Sequence, residues 1–240
     1  MSLFNLNSSI KLFCFLLAIS VISFHTSAQT PDSSRVIRVL TYNIYHGATM
    51  KGDFDLNLIA DVIKSVKPDL VALQEVDFKT NRARKMDLAT ELAVRVGLTP
   101  LFGKAMYYDG GAYGEGVLSR YSFLSTQNHV LFHEPDKEPR AALETNVVLK
   151  SGDTIRFVGT HLDHTKDEMN RVNQAKQLVQ LFSQDERPTI LAGDLNATPD
   201  SEPMHILYEI FSKSFSIDTP TSPADAPRNK IDYVLFRPAN

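Results

Sequence analysis

The stretch TILAGDLN, Thr189 to Asn196, decides how the chain is read. Thr189 to Ala192 form a short, nearly all-apolar run, the pattern of a strand covered on both faces. Where the run stops, Asp194 and Asn196 place two oxygen-bearing side chains at its end. A strand of this kind belongs in the core of a layered α/β domain, and the polar pair at its end belongs to a rim.

Three other segments repeat the pattern. VLTYNI carries Asn43, LVALQE carries Glu75 and IDYVLF carries Asp232. A single polar residue at a strand end is ordinarily a loop cap. Four strands that each end in an oxygen donor, with no cysteine among them, point instead to one rim holding a hard cation such as Mg²⁺, with Mn²⁺ as a substitute. THLDH adds His161 and His164 just after a further strand. An imidazole beside a metal site can hydrogen-bond a phosphoryl oxygen or move a proton, and His161, which follows the strand directly, is the stronger candidate. A zinc site of His161, His164 and a carboxylate fits the remaining hard donors less well.

Around these strands the chain alternates with helices. Leu56, Ile59, Ile63 and Val66 recur at helical spacing behind Asp55 as N-cap and before Pro68. A second helix is expected from Met86 to Val96 with Gly97 as its stop, and a third from about Lys166 to Phe182. YGEGVLSR, SFLSTQNHVLF, AALETNVVLK and DTIRFVGTHL read as strands, the last two joined by Ser151-Gly152-Asp153. That hairpin signal makes the sheet mixed or antiparallel rather than wholly parallel. Ser216 to Lys230 reads as a surface loop, and no repeat or linker divides residues 35–240.

The N-terminus carries an address. Lys11 precedes the apolar run Leu12 to Phe24, followed by small residues at Thr26 and Ala28, the layout of a secretory signal cleaved after Ala28. Residues 29–34 are then a short linker. The only cysteine, Cys14, falls in the signal, so the mature chain has no disulfide, cysteine zinc site or cysteine nucleophile. The net charge of −3 becomes one unit more negative once Lys11 is lost, which gives no general attraction to nucleic acid or anionic membranes. The expected location is secreted or periplasmic.

Taken in order, TYNI with Asn43, LQEVD with Glu75, GEGVLSR, THLDH with His161, GDLNATP with Asp194 and Asn196, and IDYV with Asp232 make the chain resemble the endonuclease/exonuclease/phosphatase superfamily of metal-dependent hydrolases. The resemblance implies a four-layer α/β sandwich, two mixed β-sheets packed face to face with helices outside, and Mg²⁺-dependent cleavage of a phosphoester. It implies Glu75 as principal metal ligand with Asn43 beside it, Asp194 as the group that positions or deprotonates the attacking water, Asn196 as a phosphate or metal contact, and His161 as a donor to the scissile phosphate. The family's last motif, Ser-Asp-His, whose histidine is oriented by the aspartate matching Asp232, does not occur before Asn240. The expectation is a truncated record of an active enzyme. Its alternative is a secreted metal- and phosphate-binding protein of the same fold with impaired catalysis.

Three features bear on substrate. FKTNRARKMD supplies Lys79, Arg82, Arg84 and Lys85 on a loop that leaves the rim beside Glu75, either a phosphate clamp or a solvated loop. Arg140 in EPRAAL suits bidentate phosphate contact, as His164 suits a further donor. Tyr113 in GGAYGEG is either a phosphate donor or a loop residue. A small phosphate ester, a phospholipid headgroup and DNA all remain open as substrates, with the lack of an aromatic–basic stripe weighing against tight polymer binding. No protein partner is implied, and the expected state is a monomer.

Overall fold

The computed structural model describes residues 36–214 and 219–237. The signal and linker expected over residues 1–34 lie outside them, as does the start of the loop read from Ser216. In chain order the elements are β1 (Val39–Asn43), α1 (Leu56–Val66), β2 (Leu70–Phe78), α2 (Leu88–Val96), β3 (Thr99–Tyr108), β4 (Gly111–Ser119), β5 (Phe123–Val130), β6 (Ala141–Val148), β7 (Thr154–His161), α3 (Met169–Phe182), β8 (Thr189–Asp194), α4 (Glu202–Leu207), β9 (Ser212–Lys213) and β10 (Asp232–Arg237).

The caps explain the helix boundaries. Asp55 Oδ1 accepts from the Asn57 and Leu58 amides at 2.9 and 3.1 Å and starts α1, as its position predicts. The second helix begins at Leu88 rather than Met86 because Asp87 is its cap, accepting from Thr90 N. The third begins at Met169 rather than near Lys166. Asp163 and Asp167 hold the preceding residues in side-chain turns, with Thr165 N bonded to Asp163 Oδ1 at 2.6 Å and Met169 N to Asp167 Oδ1 at 3.0 Å.

The strands form two mixed sheets, β1-β2-β4-β3 and β5-β6-β7-β8-β10-β9, with β1/β2 and β7/β8 parallel and the other pairs antiparallel. Alternation along single strands sorts the layers. On β2, Val71 and Leu73 pack with Ile59, Ile63, Leu88 and Leu92 of α1 and α2, whereas Leu70 and Ala72 join Val117 of β4 and Leu143, Phe157 and Ala192 of the other sheet. On the far side, Val158 and Leu191 meet Leu178 and Phe182 of α3 and Met204 and Leu207 of α4. The order is therefore helices, sheet, sheet, helices: the expected four-layer sandwich. Phe157 is fully buried between the sheets. Phe157→Ala should cost about 3–5 kcal/mol, read from the urea midpoint.

Topology brings the polar strand ends together. β1, β2, β7 and β8 finish at one rim, while β4, β6 and β10 run the other way and begin there. The rim joins both sheets, because Asn43 at the end of β1 touches Asp194 at the end of β8. Gly193 lets β8 approach β7 here. A Cβ at that position would lie 2.0 Å from the Thr160 carbonyl oxygen, so Gly193→Ala should push Asp194 away from His161 and lower activity along with stability.

Candidate functional site

Glu75 owes its orientation to a bulge. The β2/β4 register passes from Leu73↔Gly116 to Val76↔Gly114, so Gln74 and Glu75 together oppose Glu115, and Glu75 adopts φ 57°. A non-glycine residue in the left-handed region is held there by its surroundings, and bulges re-aim side chains beside active sites. The Glu75 carboxylate accepts from Asn43 Nδ2 at 2.9 Å, and the same nitrogen lies 3.3 Å from Asp194 Oδ2. Carboxylate oxygens from two sheets thus converge on one point.

Among the described residues, no three His, Cys, Asp or Glu side chains are arranged to hold a metal. The hard oxygen donors that converge here, the Glu75 and Asp194 carboxylates, suit a divalent cation that takes one or two carboxylates and fills its other positions with water or phosphate. Glu75 is the residue that would hold it, with the Asn43 amide beside it, and Asp194 lies within reach of the same point.

The opposite wall is made of donors. Arg140, 2% exposed, aims Nη1 at His161 Nδ1 (2.9 Å) and Nη2 at His164 Nδ1 (3.2 Å), with Glu138 Oε1 3.1 Å away. Arginine only donates, so both histidines accept at Nδ1 and carry their proton on Nε2. Burial, then the Arg140 guanidinium and His164, hold His161 well below the usual histidine range, so its ring is neutral. Its Nε2–H faces the Asn196 amide nitrogen at 3.0 Å, and that nitrogen also donates to Leu162 O. Two donors therefore confront one another, and the nearest carboxylate to His161 Nε2, Asp194 Oδ2, is 3.8 Å away.

Behind this wall sit acids with perturbed protonation. Asp194 and Asp232 lie directly opposite in the β8/β10 ladder. Burial, then the like charge of Asp232, push Asp194 up to about 7, and burial raises Asp232 as well. Glu115 is buried and its Oε2 has no hydrogen-bond partner among the described residues. Burial pushes its carboxyl well above the usual range.

These groups line one cavity of about 450 Å³ that includes Glu75, Arg82, Tyr113, Arg140, His161, His164, Asp194 and Asn196. Asn43 bonds to the Glu75 and Asp194 carboxylates without lining the cavity itself, and Asp232 lies opposite Asp194 in the β8/β10 ladder. Arg82 reaches the cavity as a bound group rather than a free clamp. Buried Asp77 grips it bidentately at 2.7 and 2.9 Å, and its guanidinium lies over the Tyr108 and Tyr113 rings. Burial keeps the Tyr113 hydroxyl protonated.

Sequence reasoning passed over several neighbours. His46, whose Nδ1 is 3.6 Å from Glu75, sits in a 3-10 turn at φ 47° with no periodicity to flag it. Glu115 carried a usable signal, an acid inside an otherwise apolar strand, the same signal that marked Asp232. An aromatic–basic stripe does exist, contrary to expectation. It is assembled from Phe78 and Lys79 at the end of β2 and Phe102, Lys104, Tyr107 and Tyr108 on β3, residues too scattered in sequence to read as one feature.

The family model for the Endonuclease/Exonuclease/phosphatase family matches residues 40–240. The uncharacterised protein YbhP of Escherichia coli (strain K12) is 26% identical over 229 residues, covering 88% of this chain and 89% of YbhP. Among solved structures, an endonuclease/exonuclease/phosphatase from Beutenbergia cavernae DSM 12333 superposes with a TM-score of 0.67 at 22% identity, over 85% of this chain and 64% of that one. This chain therefore spans less than two thirds of that protein's length. The mannosyl-6-phosphatase Bt3783 of Bacteroides thetaiotaomicron VPI-5482 superposes with a TM-score of 0.66 at 18% identity, over 85% and 86% of the two chains. At such identities the likeness is one of fold.

Proposed function

Because the chain belongs to the endonuclease/exonuclease/phosphatase family, we propose that it is an exported phosphoesterase that uses Mg²⁺, or Mn²⁺ in its place, to hydrolyse a phosphodiester or phosphomonoester. Family members are generally divalent-metal-dependent hydrolases of phosphate esters, and a phosphatase stands among the structural neighbours. Export rests on the signal segment read over residues 1–28.

The observation that carries the reading is the split cavity: converging carboxylates on one wall and, on the other, donors with hydrogens left over once their protein acceptors are counted. Left to themselves the Nε2–H of His161 and the Asn196 amide oppose each other, and buried Arg140 Nε has no partner among the described residues. An anionic oxygen placed among them satisfies donors that are costly to leave unpaired. A phosphoryl group matches both walls at once.

Glu75, with Asn43 beside it, would hold the cation. When bound, the cation neutralises phosphoryl charge and lowers the pKa of a coordinated water. His161 and Asn196 donate to the phosphoryl oxygens, and Arg140 fixes both histidines with the Nε2 proton facing the cavity. His164 and the neutral Tyr113 hydroxyl add donors at the edge. Asp194 positions the attacking water and accepts its proton, at a pKa poised by burial and Asp232.

The test is release of nitrophenol from bis(p-nitrophenyl) phosphate and p-nitrophenyl phosphate by the full chain, stripped with EDTA and then given Mg²⁺. Turnover restored by the ion is expected. A folded protein that turns over neither ester with Mg²⁺ or Mn²⁺ overturns the reading, and phosphate binding without turnover would favour the non-catalytic alternative.

A further inference from the structure

Beside the catalytic cavity, around the tip of the β3–β4 hairpin, lies an open groove of about 790 Å³. Tyr108 is the wall common to both, with Arg82 stacked 4.5 Å over its ring. The groove is faced with aromatic rings. Phe78 and Phe102 stack at 5.2 Å between centroids, and Tyr107 is 81% exposed. Two ammonium groups lie over these rings, Lys79 at 5.2 Å from the Phe78 centroid and Lys104 at 3.6 Å from that of Tyr107. Among the described residues, neither lysine is paired with a carboxylate. The single acid lining the groove, Asp109, is turned away to Asn81 Nδ2 (3.0 Å) and Arg82 N (2.7 Å).

The lysine just after β2 is also held in place. Lys79 adopts φ 55°, and the hairpin packs against it so closely that a Cβ at Gly111 would come within 2.6 Å of the Lys79 carbonyl oxygen. Left-handed backbone at a non-glycine residue persists only where the surroundings enforce it, and such positions gather at binding sites. Flat apolar walls suit stacking of a ring. Ammonium groups that no carboxylate among the described residues neutralises, one of them also bonded to the Tyr107 hydroxyl, suit an anion beside those walls.

Resting on the phosphoesterase reading, we infer that this groove is a second subsite for the part of the substrate beyond the scissile phosphate. Its occupant is a flat ring carrying a second phosphate, of the nucleoside type. The ring lies against the Phe78–Phe102 and Tyr107 wall, and the second phosphate meets Lys79 and Lys104. The scissile phosphate remains among His161, Asn196 and the Glu75 and Asp194 carboxylates, so the substrate bends around Tyr108.

Two esters with the same scissile bond separate the subsite from the chemistry: thymidine 5′-(p-nitrophenyl phosphate) and the same compound bearing a 3′-phosphate. The full chain with Mg²⁺ should show kcat/KM roughly tenfold higher for the 3′-phosphorylated ester, through KM, the order expected of two partly exposed charge contacts. Raising the salt to about 0.5 M should erode the preference. In the double variant Lys79→Gln/Lys104→Gln the preference should vanish, with turnover of the unphosphorylated ester unchanged. Equal handling of both esters by the unaltered protein, or a preference that survives the double variant, overturns the subsite and leaves the phosphoesterase reading standing. Turnover of neither ester strikes the catalytic reading. In that case calorimetry with thymidine 3′,5′-bisphosphate decides: tighter binding than the 5′-monophosphate, lost in the double variant, supports the subsite, and equal binding sinks it.

Discussion

Glu75→Gln is expected to lower kcat/KM for a p-nitrophenyl phosphodiester by roughly 10³-fold or more. A bound cation supplies several kcal/mol of charge stabilisation to the transition state, and each 1.36 kcal/mol corresponds to about tenfold in rate. The substitution removes one negative charge and little else. Glutamine keeps the length of the side chain, and its oxygen can still accept from Asn43 Nδ2, which now lies 2.9 Å from Glu75. Urea midpoints measured in EDTA should therefore stay close to those of the unaltered protein, while the Mg²⁺ concentration needed for half-maximal activity rises steeply. A variant that retains activity within tenfold, at the same Mg²⁺ requirement, would remove Glu75 from the role of cation holder.

The effect is confined to Glu75 because of features the sequence shows only in part. LVALQE reads as a strand ending in an acid, and it is one. What cannot be read is the bulge that turns Glu75 to φ 57°, because it depends on how β4 pairs with β2. The same divide runs through the fold. Asp55 and Gly97 punctuate their helices through local hydrogen bonds and backbone freedom, so their meaning is legible from neighbours a few residues away. TPLFGKAMYY of β3 carries a proline, a glycine and a bulge, and shows neither alternation nor a continuous apolar run. It is a strand because β4 pairs with it. The charged residues behave alike. Arg82 was recognised as lying near the rim, yet its partner is Asp77, and that grip decides whether the guanidinium is free to clamp phosphate. Types of residue at strand ends announce the chemistry, while partnerships between strands assign the roles.

Asp194 carries the second large effect, and its sign can be worked out. Asp194→Asn should reduce kcat by roughly 10²–10⁴, the usual contribution of a positioned acid–base group, and should flatten the acid limb of the kcat/KM profile. Asp232→Asn acts on the same limb without touching the reacting atoms. Asp232 faces Asp194 across the β8/β10 ladder and, after burial, is the leading cause of its elevation to about 7. Removing that like charge lets Asp194 ionise at lower pH, so the acid limb moves to lower pH. Burial remains, so it does not reach an ordinary carboxylate value. A bound cation lowers the limb in both proteins, but the difference between them keeps its sign.

Stability should change in the opposite sense to activity. A carboxyl whose folded pKa lies above its unfolded value of about 3.9 contributes stability fully below the unfolded pKa and loses it as pH rises through the folded one. In EDTA, the contribution of Asp194 to stability should therefore weaken between about pH 4 and the value near 7, a trend isolated by comparing the protein with a variant that lacks this carboxyl. Asp194→Asn, which cannot ionise, should be the more stable of the two at pH 8 and show a smaller loss over that window. Urea midpoints at pH 5 and pH 8 check this. A variant less stable than its parent at pH 8 would mean that Asp194 is ionised at no cost. The poised base would then lose its physical basis: the charge that makes Asp194 able to take a proton is the charge the folded protein resists holding until a cation and substrate arrive.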